Sequence, residues 1–402
     1  MRATLCGAVW LCASSLPVVA QSAVSDDVVR IGVLTDMSSW GRDNAGPGSA
    51  EAARLAVEEA GSQVLGRKVE LIVADHQMKP DIGAQIARAW LDEGRVDAVV
   101  DVTNSAIAIA IHNLARDKNR VALLSAPGAS SLTDKLCSPN TAHWTYDTYS
   151  LAKVTGEALA KEGARSWFFV TADYAFGHGL EADATRFIKA AGGEVKGGVR
   201  HPTGNADFSS FILQAQGSRA DVVIFANAGA DTQNSLKQAG EFGLVRGGQK
   251  LAGLLMYETD VHAVGLANAQ GTYLTTASYW NMSPEARAWS KVFFTRMGFM
   301  PTMNQAGAYG AVRHYLKAVQ AAGTDEAKAV MAKMRELPIE DAFTKQARLR
   351  ADGRVMRPMY LARVKAPAES KEPWDYLEIV REVKAEDAYR PEAESECPLL
   401  KR

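Results

Sequence analysis

The chain has 402 residues, 45 Lys and Arg against 46 Asp and Glu, a formal net charge of −1 and 47% hydrophobic residues. That length forms about two domains, and the apolar share is ample for two cores. With basic and acidic residues interleaved along the helices, no basic face exists for a nucleic-acid partner.

In chain order, Met1 and Arg2 lead into the apolar run Ala3 to Val19, and Val18 and Ala20 are placed for cleavage after Ala20. Residues 1–20 are therefore expected to be a signal peptide, and the protein to be exported to the periplasm. The apolar run is too short for a membrane anchor, and no later window approaches the roughly 20 apolar residues that span a bilayer. Lipid attachment is not expected either, because bulky Trp10 and Leu11 precede Cys12. Removing this segment leaves 382 residues with 44 basic and 46 acidic side chains, a charge of −2. Cys6 and Cys12 leave with it. In an oxidising compartment the remaining Cys137 and Cys397 are expected to pair, the alternative being two free thiols. Closing so long a loop adds roughly 4 kcal/mol in the entropy model.

Short apolar runs then alternate with helical patterns: strand Val28 to Leu34, helix Gly48 to Ala60, strand Val69 to Ala74, helix Asp81 to Glu93, strand Ala98 to Val102, helix Ile107 to Lys118 and strand Val121 to Leu124. Strands this uniformly apolar are buried on both faces of a parallel sheet. A loop rich in Ser, Gly, Ala and Pro, Ser125 to Asn140, interrupts the rhythm. It restarts with helix Leu151 to Glu162 and strand Trp167 to Thr171. Helix Leu180 to Ala191, strand Glu194 to Val199, helix Phe208 to Gln216, strand Val222 to Ala226, helix Thr232 to Glu241 and strand Leu251 to Leu255 follow. The fold class is α/β, two doubly wound parallel-sheet lobes facing one cleft. Helices Ser283 to Met297, Gln305 to Ala322 and Glu326 to Arg335, then strand Tyr360 to Val364, complete the pattern. No low-complexity linker separates the halves, so the chain is expected to cross between lobes several times. Residues 24–145 with 278–325 make the first lobe, and 146–277 with 326–402 the second. The polar stretch Glu369 to Glu396 is expected to be solvated.

Reaction signatures are missing: no G-x-x-x-x-G-K-[ST], no G-x-S-x-G and no H-E-x-x-H. The loop Gly46-Pro47-Gly48-Ser49-Ala50-Glu51 lacks the third glycine of a dinucleotide fingerprint. The seven histidines are scattered, and His178 and His201, near the cleft segments, have no partner at metal-ligand spacing. The chain is read as a binding protein rather than an enzyme, with no cofactor and no metal.

Ligands of open α/β sheets sit outside the carboxyl ends of the strands. There the first strand is followed by a loop carrying Trp40, and the third by Asp101-Val102-Thr103-Asn104-Ser105 opening onto a helix. Asn104 and Ser105 suit a carboxylate held at a helix N-terminus, and equally a plain N-cap. Ser125-Ala126-Pro127-Gly128-Ala129-Ser130-Ser131 offers small hydroxyls and accessible backbone. Thr171 to Gly179 places Tyr174 and Phe176 after a second-lobe strand, Tyr174 as ligand contact and Phe176 more as core. Ala226 to Asp231, with Asn227, and Met256 to Asp260, with Tyr257 and Glu258, repeat the polar pattern.

The stretches Ile31 to Ser38, His143 to Tyr149 and Thr171 to Gly179 together resemble the periplasmic binding proteins of branched-chain amino-acid-type ABC importers, over nearly all of Val28 to Val364. The resemblance implies a type I two-lobed receptor with three crossovers, closing on a small ligand and delivering it to a membrane permease. By position it puts first-lobe ligand groups on Asn104, Ser105, Gly128 and Ser130 and the second-lobe aromatic on Tyr174, with Asn227, Tyr257 and Glu258 matching more loosely. Glu258 only approximates the acid that meets an amino acid's ammonium group. Asn227 stands where those receptors have an aromatic, and Trp40 replaces small residues. These departures point to the branch that takes up aromatic or other small organic acids. Two other classes compete: a ligand-sensing subunit docking on a signalling receptor, and a secreted hydrolase using Cys137 with His143.

Overall fold

The computed structural model describes residues 24–93 and 96–400; the expected signal peptide, with Cys6 and Cys12, lies outside them. The first lobe is built from β1 (Val28–Thr35), α1 (Gly46–Glu59), β2 (Gln63–Val64), β3 (Arg67–Asp75), α2 (Pro80–Asp92), β4 (Ala98–Asp101), α3 (Ser105–Asp117), β5 (Val121–Leu124) and β6 (Thr141–His143). Its sheet runs β2-β3-β1-β4-β5-β6, parallel except for the edge hairpin strand β2. All residues of β4 and β5 are buried, which explains runs such as Val121-Ala122-Leu123-Leu124: helices cover both faces, so no polar alternation is tolerated.

The second lobe contains α4 (Thr148–Lys161), β7 (Ser166–Ala172), α5 (Ala175–Ala190), β8 (Glu194–His201), α6 (Ser209–Gly217), β9 (Val222–Ala226), α7 (Ala230–Glu241), β10 (Lys250–Gly253), α8 (Glu258–Val264), α9 (Leu266–Ala269) and β11 (Tyr273–Thr276). Asp147 and Ser150 start α4 with a reciprocal capping box. The chain then returns to the first lobe with α10 (Pro284–Met297), α11 (Met303–Ala322) and α12 (Ala327–Glu336) and the small sheet β12 (Ile339–Asp341), β13 (Thr344–Leu349) and β14 (Val355–Met356). Strand β15 (Met359–Val364), antiparallel to β11, and β16 (Leu377–Val383), antiparallel to β15, extend the second sheet, giving the order β16-β15-β11-β10-β9-β7-β8, before α13 (Ala385–Ala388). The chain thus passes between the lobes three times: after β6, after β11 and between β14 and β15.

Two expectations change. Residues 326–402 do not all return to the second lobe: Val330, Met331, Met334, Ile339, Phe343 and Leu349 share a core with β1 and α11, because the chain turns at Gly323 and α12 packs back on α11. The polar stretch 369–396 is not simply solvated either. Its alternating Leu377–Val383 is an edge strand with one face on the sheet, and Trp374 is buried. Beyond it, Cys397 is bonded to Cys137, with 5.6 Å between Cα atoms, across a separation of 260 residues.

The crossovers are tied together by buried arginines. Arg354 Nη1 donates to the Tyr146 carbonyl at 2.9 Å and lies 3.6 Å from the Asp147 carboxylate. Arg357 Nη2 donates to the Ala277 carbonyl at 2.9 Å, and the Tyr389 hydroxyl to the Thr145 carbonyl at 3.2 Å. These contacts link the three crossover segments to one another.

Candidate ligand site between the lobes

The strands of both lobes end at the same cleft, and the loops after them line a small cavity. Trp40 comes from the loop after β1, Thr103 and Ser105 from β4, Ala126 and Gly128 from β5, Tyr174 and Phe176 from β7, Ala228 from β9, and Leu255 and Tyr257 from β10. This is the crevice that a doubly wound sheet provides. Five aromatic rings line it, those of Trp40, Tyr146, Tyr174, Phe176 and Tyr257, and no lining side chain carries a charge.

The polar end of the cavity is the start of α3. Asn104 caps it by accepting from the Ala106 and Ile107 amides at 2.8 and 3.3 Å. Its oxygen is thus engaged by the helix, and Asn104 does not line the cavity: here the N-cap alternative holds. Ser105 does line it, and its hydroxyl has no hydrogen bond among the described residues. Just upstream, Asp101 and Val102 have φ of +82° and +62°, a conformation that costs a side-chain-bearing residue on the order of 1–3 kcal/mol. The turn is held because Asp101 accepts the Ser125 hydroxyl at 2.8 Å and that of Ser49 at 3.1 Å, while the Val102 amide donates to the Leu34 carbonyl. Burial pushes the Asp101 carboxyl up to about 6 against those hydroxyl hydrogen bonds. This strained turn sets the α3 N-terminus, with its positive dipole end and Ser105, at the cavity.

The lobes touch around the cavity. The Ala230 amide donates to the Trp40 carbonyl at 3.3 Å, Thr259 Oγ1 to Asn44 Oδ1 at 3.1 Å, and the rings of Trp40 and Tyr174 meet edge-on with centroids 5.9 Å apart. Gly229 permits this approach: its φ is +62°, and a Cβ there would lie 2.4 Å from the Trp40 carbonyl oxygen.

Several expected residues sit elsewhere. Ser130 faces Asp183, donating at 3.3 Å beside Thr148, outside the cavity lining. Asn227 is fully buried, its amide nitrogen 3.2 Å from His201 Nε2 and 3.0 Å from Ser235 Oγ, its oxygen accepting from Thr232, so it braces the β9 end instead of facing a ligand. Glu258 is buried behind Tyr257 and does not line the cavity; burial, reinforced by Asp260, raises it to about 8. Conversely, Tyr146, Phe176, Thr103, Asn44 and Met78 line the site. Tyr146 lay within a quoted family stretch, and Phe176 is both buried core and cavity wall. Met78, from the β3–α2 loop, had no sequence signal. With Cys137 in a disulfide, its sulfur is not a free nucleophile for His143 to activate; the His143 ring contacts the Pro127 carbonyl at 2.7 Å.

The family model described as "Periplasmic binding protein" matches residues 28–371. The chain belongs to the periplasmic binding protein family. A periplasmic binding protein of known structure from Burkholderia mallei is 45% identical to this one, with a TM-score of 0.90, covering 93% of this chain and 100% of its own. A branched chain amino acid ABC transporter periplasmic ligand-binding protein from Burkholderia xenovorans is 42% identical, with a TM-score of 0.84 and the same coverage. Among curated proteins, a Leu/Ile/Val-binding protein homolog of Brucella melitensis is 27% identical over 333 residues, 78% of this chain and 82% of that protein. This periplasmic binding protein has, among its described residues, no helix long and apolar enough to cross a membrane.

Proposed function

We propose that this protein is a periplasmic receptor that closes around a small aromatic carboxylate and hands it to the membrane permease of an ABC importer. The observation that carries the reading is the cavity wall: five aromatic rings and the free Ser105 hydroxyl at the α3 N-terminus, with no acidic side chain facing in. A carboxylate is stabilised by Ser105 and the helix dipole, and an aromatic body by Trp40 and Tyr174. An α-amino acid needs a counter-charge for its ammonium group as well. Glu258, the nearest match, is set back from the cavity and, raised to about 8, holds its proton at neutral pH. Binding shifts the lobes toward closure by the ligand's differential affinity for that state, the hinge being the three crossovers.

The test is a thermal-shift screen of the purified protein against aromatic acids, short dicarboxylates, amides and branched-chain amino acids. Concentration-dependent stabilisation by aromatic acids supports the reading. Stabilisation by branched-chain amino acids alone refutes it.

A further inference from the structure

The wall of the cavity carries three phenols, of Tyr146, Tyr174 and Tyr257. Two of them are fixed in one proton order. The Tyr146 oxygen lies 2.6 Å from the Ala126 carbonyl, which can only accept, so Tyr146 donates there. A hydroxyl has one proton, so the 3.1 Å contact between Tyr146 and Tyr257 is donated by Tyr257. The Tyr257 oxygen accepts in turn from Asn304 Nδ2 at 2.9 Å. Reversing the Asn304 amide would draw the Tyr257 proton to its oxygen and leave the contact between the tyrosines with none, so the order Asn304 to Tyr257 to Tyr146 to Ala126 is the one that gives every contact a proton. Both tyrosine oxygens keep a lone pair and no proton for a ligand. The Tyr174 hydroxyl carries no hydrogen bond among the described residues, so its proton can be donated to a ligand.

Two acceptors beside one free donor form the complement of a hydroxyl group, which both gives and takes a proton. An ether lacks the proton and an unsubstituted ring lacks both. Resting on the aromatic-carboxylate reading above, we infer that the ligand carries a hydroxyl on the ring, read by Tyr146 and Tyr257 as acceptors, with Asn304 as the residue that positions the Tyr257 proton away from the ligand. A site built to hydrogen-bond a substrate hydroxyl rejects analogues that leave its buried groups unpaired.

The experiment is calorimetric titration of the wild-type protein and Tyr257→Phe with benzoate, 3- and 4-hydroxybenzoate and 3- and 4-methoxybenzoate. One hydroxybenzoate is expected to bind at least roughly tenfold tighter than benzoate and its own methyl ether. Tyr257→Phe reduces that ratio; because the wild-type series stands by itself, a misfolded variant does not remove the test. Equal affinity of hydroxy, methoxy and unsubstituted acids overturns this inference and leaves the aromatic-carboxylate reading intact. Binding of none of them overturns both.

Discussion

Gly128→Ala is the perturbation that most sharply separates closure from folding. Gly128 belongs to the first lobe, yet a Cβ there would stand 2.5 Å from the Phe176 ring of the second lobe and 3.1 Å from that of Tyr146. Nor can the backbone retreat freely, because the Gly128 carbonyl accepts from the Thr148 amide at 2.7 Å. Ordinary carbon contacts begin near 3.5 Å, so either the rings or the lobes must give by about 1 Å. Overpacking of this kind costs about 1–3 kcal/mol, and across a cleft the cost falls on the closed state alone. At 1.4 kcal/mol per tenfold, ligand affinity should fall roughly 5- to 150-fold while the unliganded protein melts as before. Calorimetric titration with the strongest screened ligand, paired with melting of the free protein, reads both quantities. An affinity within twofold of the wild type would show that Gly128 and Phe176 do not meet in the bound form.

Other changes have defined outcomes. Ser105→Ala removes a hydrogen bond to a charged group and should weaken an aromatic acid by roughly 10- to 150-fold, whereas Ser130→Ala, facing Asp183, should not; equal effects in titration would return Ser130 to the site. Replacing Cys137 and Cys397 together by Ser frees a 260-residue loop; a loss of about 3 kcal/mol should lower the melting temperature by roughly 4 °C, and an unchanged melt would speak against the bond. Glu258, raised by burial from 4.5 to about 8, favours the folded state while protonated; that contribution is complete below 4.5 and lost as pH rises through 8. Melts from pH 5 to 9 should therefore slope less in Glu258→Gln, by up to about 1.4 kcal/mol per pH unit, and superimposable profiles would contradict its burial as an acid. Arg354→Met leaves Asp147 buried without its cation and should destabilise the hinge by about 3–5 kcal/mol, measured by denaturant melts; a neutral result would mean that the pair is not closed.

What the sequence disclosed follows from burial. Runs such as Val222 to Ala226 are apolar throughout because helices cover both faces of each parallel sheet, so the longer strands and helices were legible from the residue pattern. Short or polar elements were not. The three-residue β6 and the edge strand β16, with one face in solvent, carry too few apolar positions to stand out. Among the residues named from strand ends, Trp40, Ser105, Gly128, Tyr174 and Tyr257 line the interlobe cavity. The strand-end rule could not separate Asn227 from Ala228, because adjacent loop residues point to opposite sides, and which one braces the sheet depends on His201 and Ser235, distant in sequence. Tyr146 was hidden for another reason: it sits in a crossover, and only the return of the chain through Arg354 and Asn304 brings it to the cavity.

The central claim is that an aromatic acid lies between the lobes with its carboxylate on Ser105. A crystal structure with the tightest-binding acid from the screen tests it directly. The account predicts a carboxylate oxygen within hydrogen-bond distance of Ser105 Oγ at the α3 N-terminus and the ring between Trp40 and Tyr174. A carboxylate turned toward Tyr146 and Tyr257, or an acid bound outside the interlobe cavity, would contradict it.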